Sequence, residues 1–263
     1  MGERSEAFSL RRPDGIVAGT LSGDGRTTIF LHGWTLDRRM WRPQIDKVPG
    51  RLLMIDRRGS GESSAPADLD REIDDIDAII DALGGEPVSL VGMSQGGRVA
   101  LRYADARPER LRRLVLTGAP IDGSPFAPEK PIPIDAMRTL LDAGRIDDLR
   151  ALWHAHPLMR FDGADDLRRL LDDLLVECRW GEVLAPSALS RTRADIFAKA
   201  AWISIPALFL YGEQDQPDLL ASAQAVVDRN RAMQFETVQD AGHFVNWTHA
   251  APFNARIGRW LAE

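Results

Sequence analysis

Apolar positions along the chain follow two patterns that take turns. Short continuous apolar runs occur at Thr27–Leu31, Leu52–Ile55, Val88–Val91, Leu114–Leu116 and Ala207–Tyr211. Their length and their continuous apolar character predict strands buried on both faces. Between them the apolar residues recur every three or four positions. Leu69, Ile73, Ile76, Ile80 and Leu83 mark one amphipathic helix, and Val99, Leu101 and Tyr103 belong to another. The acids Asp70, Glu72, Asp74, Asp75 and Asp77 fall mostly on the other side of the first helix and read as a solvated face. Strand alternating with helix implies right-handed βαβ units and a parallel sheet. Residues 5–31 read as strand, turn, strand, turn, strand, the last being the Thr27–Leu31 run, with turns at Pro13-Asp14-Gly15 and Ser22-Gly23-Asp24-Gly25. At the other end come a helix from about Pro217 to Arg229, a strand Met233–Val238 and a last helix from about Trp247.

The alternation lapses between about Ile121 and Ala201. A Pro-rich entry (Pro125, Pro128, Pro131, Pro133) leads into helical stretches such as Ile134–Leu141 and Leu167–Val176, with no strand pattern. The predicted fold class is therefore α/β. A mostly parallel central sheet flanked by helices is formed by residues 1–120 and 202–263, and residues 121–201 are a helical insertion. Phe126, Trp153, Leu158, Met159, Phe161, Trp180, Phe197 and Trp202 are expected mostly to pack a small core of the insertion's own, with a few facing a site on the main body.

Composition narrows the function. A net charge of -6 argues against nucleic acid as a partner, since phosphates require a basic face. Cys178 is the only cysteine, so neither a disulfide framework nor a cysteine-based zinc site is available, and it reads as a packing residue. The start, Met1-Gly2-Glu3-Arg4-Ser5-Glu6, lacks an apolar signal core, and no stretch is long enough to span a bilayer. A cytoplasmic location is the default expectation. The loop Asp56-Arg57-Arg58-Gly59-Ser60-Gly61 is Gly-rich without the spacing of a phosphate cradle; a supporting loop with an internal Asp–Arg contact is the better reading. His154 and His156 have no acidic partner at metal-ligand spacing and read as surface or packing histidines.

Candidate chemistry begins at Gly92-Met93-Ser94-Gln95-Gly96, a G-x-S-x-G placed between a predicted strand and a predicted helix. A sharp turn there lifts the Ser94 hydroxyl above the sheet, and the amide of Gln95 points from the helix N-terminus at any oxyanion beside it. His32-Gly33-Trp34 follows another strand, and the Trp34 amide is a second candidate donor. His32 itself reads as a structural residue. Asp215, after the strand ending at Tyr211, and His243, after the strand ending at Val238, complete three reactive types on one sheet edge. Asp240, Glu213 and Asp122 are the rival acids.

With these residues in view, the chain resembles the α/β-hydrolase fold superfamily, in its lid-bearing branch of esterases and 3-oxoadipate enol-lactonases. The matching pieces are His32-Gly33-Trp34, Asp56-x-Arg58-Gly59-x-Gly61-x-Ser63, Gly92-x-Ser94-x-Gly96-Gly97, Tyr211-Gly212-x-x-Asp215 and Gly242-His243, in the family's order. The resemblance implies a serine hydrolase acting on a small ester or lactone, with Ser94 as nucleophile, His243 as base, Asp215 as its orienting acid, and the Trp34 and Gln95 amides as oxyanion donors. It implies a lid over 121–201 and no cofactor. Trp34, Met93, Trp153 and Phe244 are the candidate substrate contacts. The same triad is compatible with carbon–carbon bond hydrolysis, for which Met93 departs from the Asn often found there, and with cofactor-free perhydrolysis of the haloperoxidase type. A ligand-binding receptor on this fold is the reading from another class. Oligomeric state is not legible.

Overall fold

A computed structural model of the chain describes residues 5–185 and 195–263. The first four residues, and the part of the insertion at 186–194, lie outside the described residues. Eight strands form one sheet: β1 (Glu6–Arg12), β2 (Gly15–Ser22), β3 (Thr27–Leu31), β4 (Arg51–Ile55), β5 (Val88–Met93), β6 (Leu111–Thr117), β7 (Ala207–Gly212) and β8 (Met233–Val238). Their spatial order is β1-β2-β4-β3-β5-β6-β7-β8. The β1–β2 and β2–β4 pairs are antiparallel and all others parallel. Register carries the strand ends to one edge. Leu31 pairs with Gly92, Gly92 with Leu116, Leu116 with Phe209 and Phe209 with Phe235. Every loop that follows these residues therefore emerges on the same side, where ligands bind in sheets of this kind.

The buried strands feed two layers because successive side chains point to opposite faces. Ile29, Leu31, Leu90, Leu114, Leu116 and Phe209 pack with helices α1 (Glu72–Ala82), α2 (Gln95–Ala106) and α6 (Pro217–Val227). Phe30, Val91, Val115, Leu208 and Leu210 pack on the other face with the 3-10 segment Arg38–Gln44 and α7 (Ala250–Ala262). Each fully buried side chain of this size contributes about 1.5–3 kcal/mol.

Between β6 and β7 lie α3 (Ile134–Asp142), α4 (Ile146–His154), α5 (Asp165–Glu177) and a single turn at Gly181–Leu184. The core expected for this insertion is continuous, among the described residues, with that of the main body. Met137, Leu149, Trp153, Leu174 and Val183 belong to the same apolar cluster as Phe30 and Phe253. Phe161 joins the two, standing edge-on to Phe244 at 5.8 Å and to Trp247 at 5.6 Å. Three of the aromatics named above stay outside that cluster: Trp202 is 85% exposed, and Phe126 meets Phe197 near the surface at 6.4 Å.

The acidic stretch near α1 is also not a uniformly solvated face. Helix α1 starts at Glu72, and Glu72 and Asp75 are buried. Asp75 accepts from Arg58 at 2.5 Å and Arg12 at 2.7 Å, and Glu72 accepts from the buried Arg57 at 2.7 and 2.8 Å. The loop after β4 consequently lacks the expected internal Asp–Arg contact: Asp56 instead pairs with Arg38 from outside the loop. These acids are drawn inward by arginines that periodicity does not reveal. Cys178 is half-buried, and burial pushes its thiol up to about 12.

Candidate active site

Ser94 sits between β5 and α2 with φ 50° and ψ -116°. A non-glycine residue there is strained, by about 1–3 kcal/mol, and persists only where its surroundings enforce it. Two backbone bonds do so: Ser94 N–H donates to Thr117 O at 2.8 Å, and Arg98 N–H donates to Ser94 O at 3.0 Å. Close approach of α2 to the sheet does the rest. A Cβ on Gly96 would lie 2.1 Å from Leu31 O, so only glycine fits. Gln95 opens α2, placing its amide at the positive end of the helix.

His243 follows β8 and Asp215 follows β7, and the two meet. His243 Nδ1 lies 2.8 Å from Asp215 Oδ1 and 3.0 Å from Oδ2. Both are buried, at 6% and 5% exposure. The Asp215 carboxylate also accepts from Gln216 N–H at 2.7 Å. A proton on Nδ1 serves this contact and leaves Nε2 as the basic nitrogen. Gly118, in the loop after β6, closes the other side. Its φ is +56°, and a Cβ there would lie 2.5 Å from His243 Cε1. That loop is fixed by Tyr211, whose hydroxyl accepts from Ala119 N–H at 2.9 Å and donates to Ala119 O at 3.0 Å. Ser94 and His243 line one small cavity of about 30 Å³ together with Trp34, Met93, Trp153 and Phe244. A larger cavity of about 270 Å³ lies against Ser94, Gln95 and Trp34, and Pro128, Lys130 and Leu158 from the insertion wall it. All eight residues singled out in the sequence thus reach this region: Asp215 through His243, the rest as lining.

Two of the rival acids, Asp122 and Glu213, are engaged elsewhere. Asp122 accepts from Arg98 at 2.8 Å and Arg102 at 2.6 Å. Glu213 accepts from Asp240 N–H at 3.4 Å. His32 is a scaffold of the Trp34 amide. Its Nδ1–H donates to Gly33 O at 2.8 Å, and its Nε2 accepts from Arg57 N–H at 2.8 Å. Burial, reinforced by the Arg57 charge, pushes the imidazole down to about 3, so it is neutral. Holding Gly33 O constrains, from one side, the Gly33–Trp34 peptide that carries the Trp34 N–H. His156 stacks on Trp153 at 5.1 Å, and His154 lies on the surface 3.7 Å from Asp172.

Three features here have no sequence signal of their own. Thr35 adopts φ +62°, and a left-handed backbone costs a residue with a Cβ roughly 1–2 kcal/mol. Arg57 holds Glu72 and, at 3.1 Å, Glu182 from the insertion, in one buried cluster. Burial raises both glutamates, against the lowering pull of Arg57. Gly118 is the third; a glycine after an apolar run marks a turn without showing what it touches.

A sequence pattern for the alpha/beta hydrolase family matches residues 28–256. The chain belongs to the alpha/beta hydrolase family. It is 32% identical over 253 residues to the AB hydrolase superfamily protein YisY of Bacillus subtilis (strain 168), covering 90% of this chain and 92% of that one. It is 28% identical over 278 residues to the 2-hydroxymuconate semialdehyde hydrolase of Pseudomonas sp. (strain CF600), covering 92% and 89%. Among solved structures it superposes on an esterase from Exiguobacterium antarcticum with a TM-score of 0.83, at 21% identity and over 100% of both chains. This hydrolase has no helix, among the described residues, long and apolar enough to cross a membrane.

Proposed function

We propose that this alpha/beta hydrolase cleaves a carboxylic ester or lactone of a small substrate through an acyl-enzyme, with the 121–201 insertion as its cap. One observation carries the reading: an Asp215–His243 pair at 2.8 Å beside a serine held in a strained strand-to-helix turn. In the first half-reaction His243 Nε2 takes the Ser94 proton while Oγ attacks the acyl carbon. The carbonyl oxygen becomes an oxyanion between the Trp34 and Gln95 amides. Collapse breaks the bond to the leaving alkoxide, which receives the proton from His243. In the second, water gives its proton to His243 and adds to the acyl carbon, and Ser94 leaves with that proton. The acid is released. Asp215 holds the imidazole in the right tautomer and stabilises its cation. The 30 Å³ cavity suits a short acyl group and the 270 Å³ cavity the larger alcohol.

The test is a fluorophosphonate probe followed by intact mass and peptide sequencing, alongside turnover of p-nitrophenyl acetate. A single adduct on Ser94, and loss of both signals in Ser94→Ala, is the expected result. Wild-type turnover by Ser94→Ala refutes the mechanism. No adduct and no turnover in the wild type favour a binding protein instead. A second reading, hydrolysis of a carbon–carbon bond, is favoured by the likeness to the 2-hydroxymuconate semialdehyde hydrolase. Turnover of that semialdehyde well above the best ester selects it.

A further inference from the structure

We infer that the cap is part of the oxyanion machinery: Trp153 and Glu182 hold Thr35, and through it aim the Trp34 amide. The inference rests on the serine-hydrolase reading above and extends it. Thr35 directly follows the oxyanion residue and keeps its strained left-handed backbone through three contacts. Its hydroxyl donates to Trp34 O at 2.7 Å and accepts from Trp153 Nε1–H at 2.8 Å. Its N–H donates to Glu182 Oε2 at 3.4 Å. Trp153 lies in α4 and Glu182 in the turn Gly181–Leu184, so both arrive from the insertion between β6 and β7.

The Gly33–Trp34 peptide is thus gripped from two sides. Ahead of it His32 anchors Gly33 O; after it the hydroxyl of Thr35 anchors Trp34 O. Both lines end on one buried arginine. Arg57 N–H supports His32, and the Arg57 guanidinium supports Glu182. Trp153 adds packing, its ring edge-on to Trp34 at 4.9 Å with an interplanar angle of 82°. A strained residue relaxes once the contacts that enforce it are withdrawn. When the cap lifts, Thr35 loses two of its three contacts, and the Trp34 amide turns away from the oxyanion position. Docking of the cap therefore encloses the substrate and completes the oxyanion site in one event. Trp153, Glu182 and Thr35 are positioning residues.

The test uses Thr35→Val and Trp153→Phe in the full chain, with Thr35→Ser as the variant that keeps the hydroxyl. Loss of an oxyanion donor costs about 100- to 1000-fold, so a misdirected one is expected to lower kcat about 10- to 100-fold with KM within about twofold. The affinity of a trifluoromethyl ketone, whose Ser94 adduct carries the oxyanion, should fall by the same factor. The affinity of the matching methyl ketone, which forms little adduct, should not change. Thr35→Ser should restore most of kcat, and the double variant Thr35→Val/Trp153→Phe should be no slower than the worse single one. A folded Thr35→Val with wild-type kcat and wild-type trifluoromethyl ketone affinity overturns the inference and leaves the serine-hydrolase reading standing. If Trp153→Phe fails to fold, the shape-conserving Thr35→Val carries the test. A wild type that neither binds the trifluoromethyl ketone at Ser94 nor turns over esters overturns that reading, and this inference with it.

Discussion

Replacing Gly118 by alanine adds one methyl group beside the His243–Asp215 pair, and its effect can be worked from distances. The new Cβ would stand 2.5 Å from His243 Cε1, 2.6 Å from Nδ1 and 3.1 Å from Asp215 Oδ2. Ordinary contact begins at 3.4 Å, so ring and methyl must separate by roughly 1 Å. The glycine side cannot yield easily, because Tyr211 pins the next residue at both N–H and C=O. The ring therefore moves, and the methyl crowds the same Nδ1 that Asp215 holds. A misplacement of about 1 Å in a reacting group costs on the order of 100-fold in rate, or about 2.7 kcal/mol of barrier. The strain of alanine at φ +56° adds roughly 1–2 kcal/mol of instability, small against a typical 5–15 kcal/mol. Gly118→Ala should therefore fold, melt a few degrees lower, and hydrolyse p-nitrophenyl acetate about 100-fold more slowly. Gly242→Ala is the matched control: it is next to His243 in sequence, yet its Cβ meets nothing within 4 Å, and its rate should stay near wild type. A folded Gly118→Ala with wild-type kcat would refute the claim that this histidine, in this position, is the base.

Three further outcomes follow from the same geometry. Asp215→Asn should lower kcat by about 10⁴-fold by favouring the wrong tautomer, whereas Asp240→Asn and Glu213→Gln should change it little; near-normal turnover by Asp215→Asn moves the acid elsewhere. Arg57→Met strands Glu72 and Glu182 without a counter-charge and should cost about 3–5 kcal/mol in urea unfolding at pH 8, and less at pH 5, where the raised glutamates take up protons. His32, held down to about 3 in the folded chain, lets the unfolded chain bind the extra proton below its ordinary 6.5. Stability should therefore fall as the pH is lowered, by about 2 kcal/mol from pH 7 to pH 5, a slope that His32→Gln reduces and that a flat stability profile would contradict.

Much of the architecture was legible in the chain because its signals are local. Continuous apolar runs marked the strands β3 to β7, and the loss of that rhythm after Ile121 marked the insertion. Gly92-x-Ser94-x-Gly96 could be read because its glycines answer a local demand, the close approach of α2 to the sheet. Asp215 could be preferred over Asp240, Glu213 and Asp122 for its place after a buried strand, but only the fold shows which carboxylate faces His243. The burial of Glu72 and Asp75 ran against their pattern, as their partners Arg57 and Arg58 come from a loop whose path periodicity does not fix.

By itself the sequence determined the order of strands and helices, the sharp turn at Ser94 and the set of reactive residue types. These depend on side-chain period and backbone sterics within a few residues. The tertiary structure alone decided that the insertion shares the main apolar core, that Gly118 backs the histidine, and that Trp153 and Glu182 reach Thr35 across 118 and 147 positions of chain. Such contacts are set by the packing of whole elements, and no local pattern records what a side chain will meet on the far side of a fold.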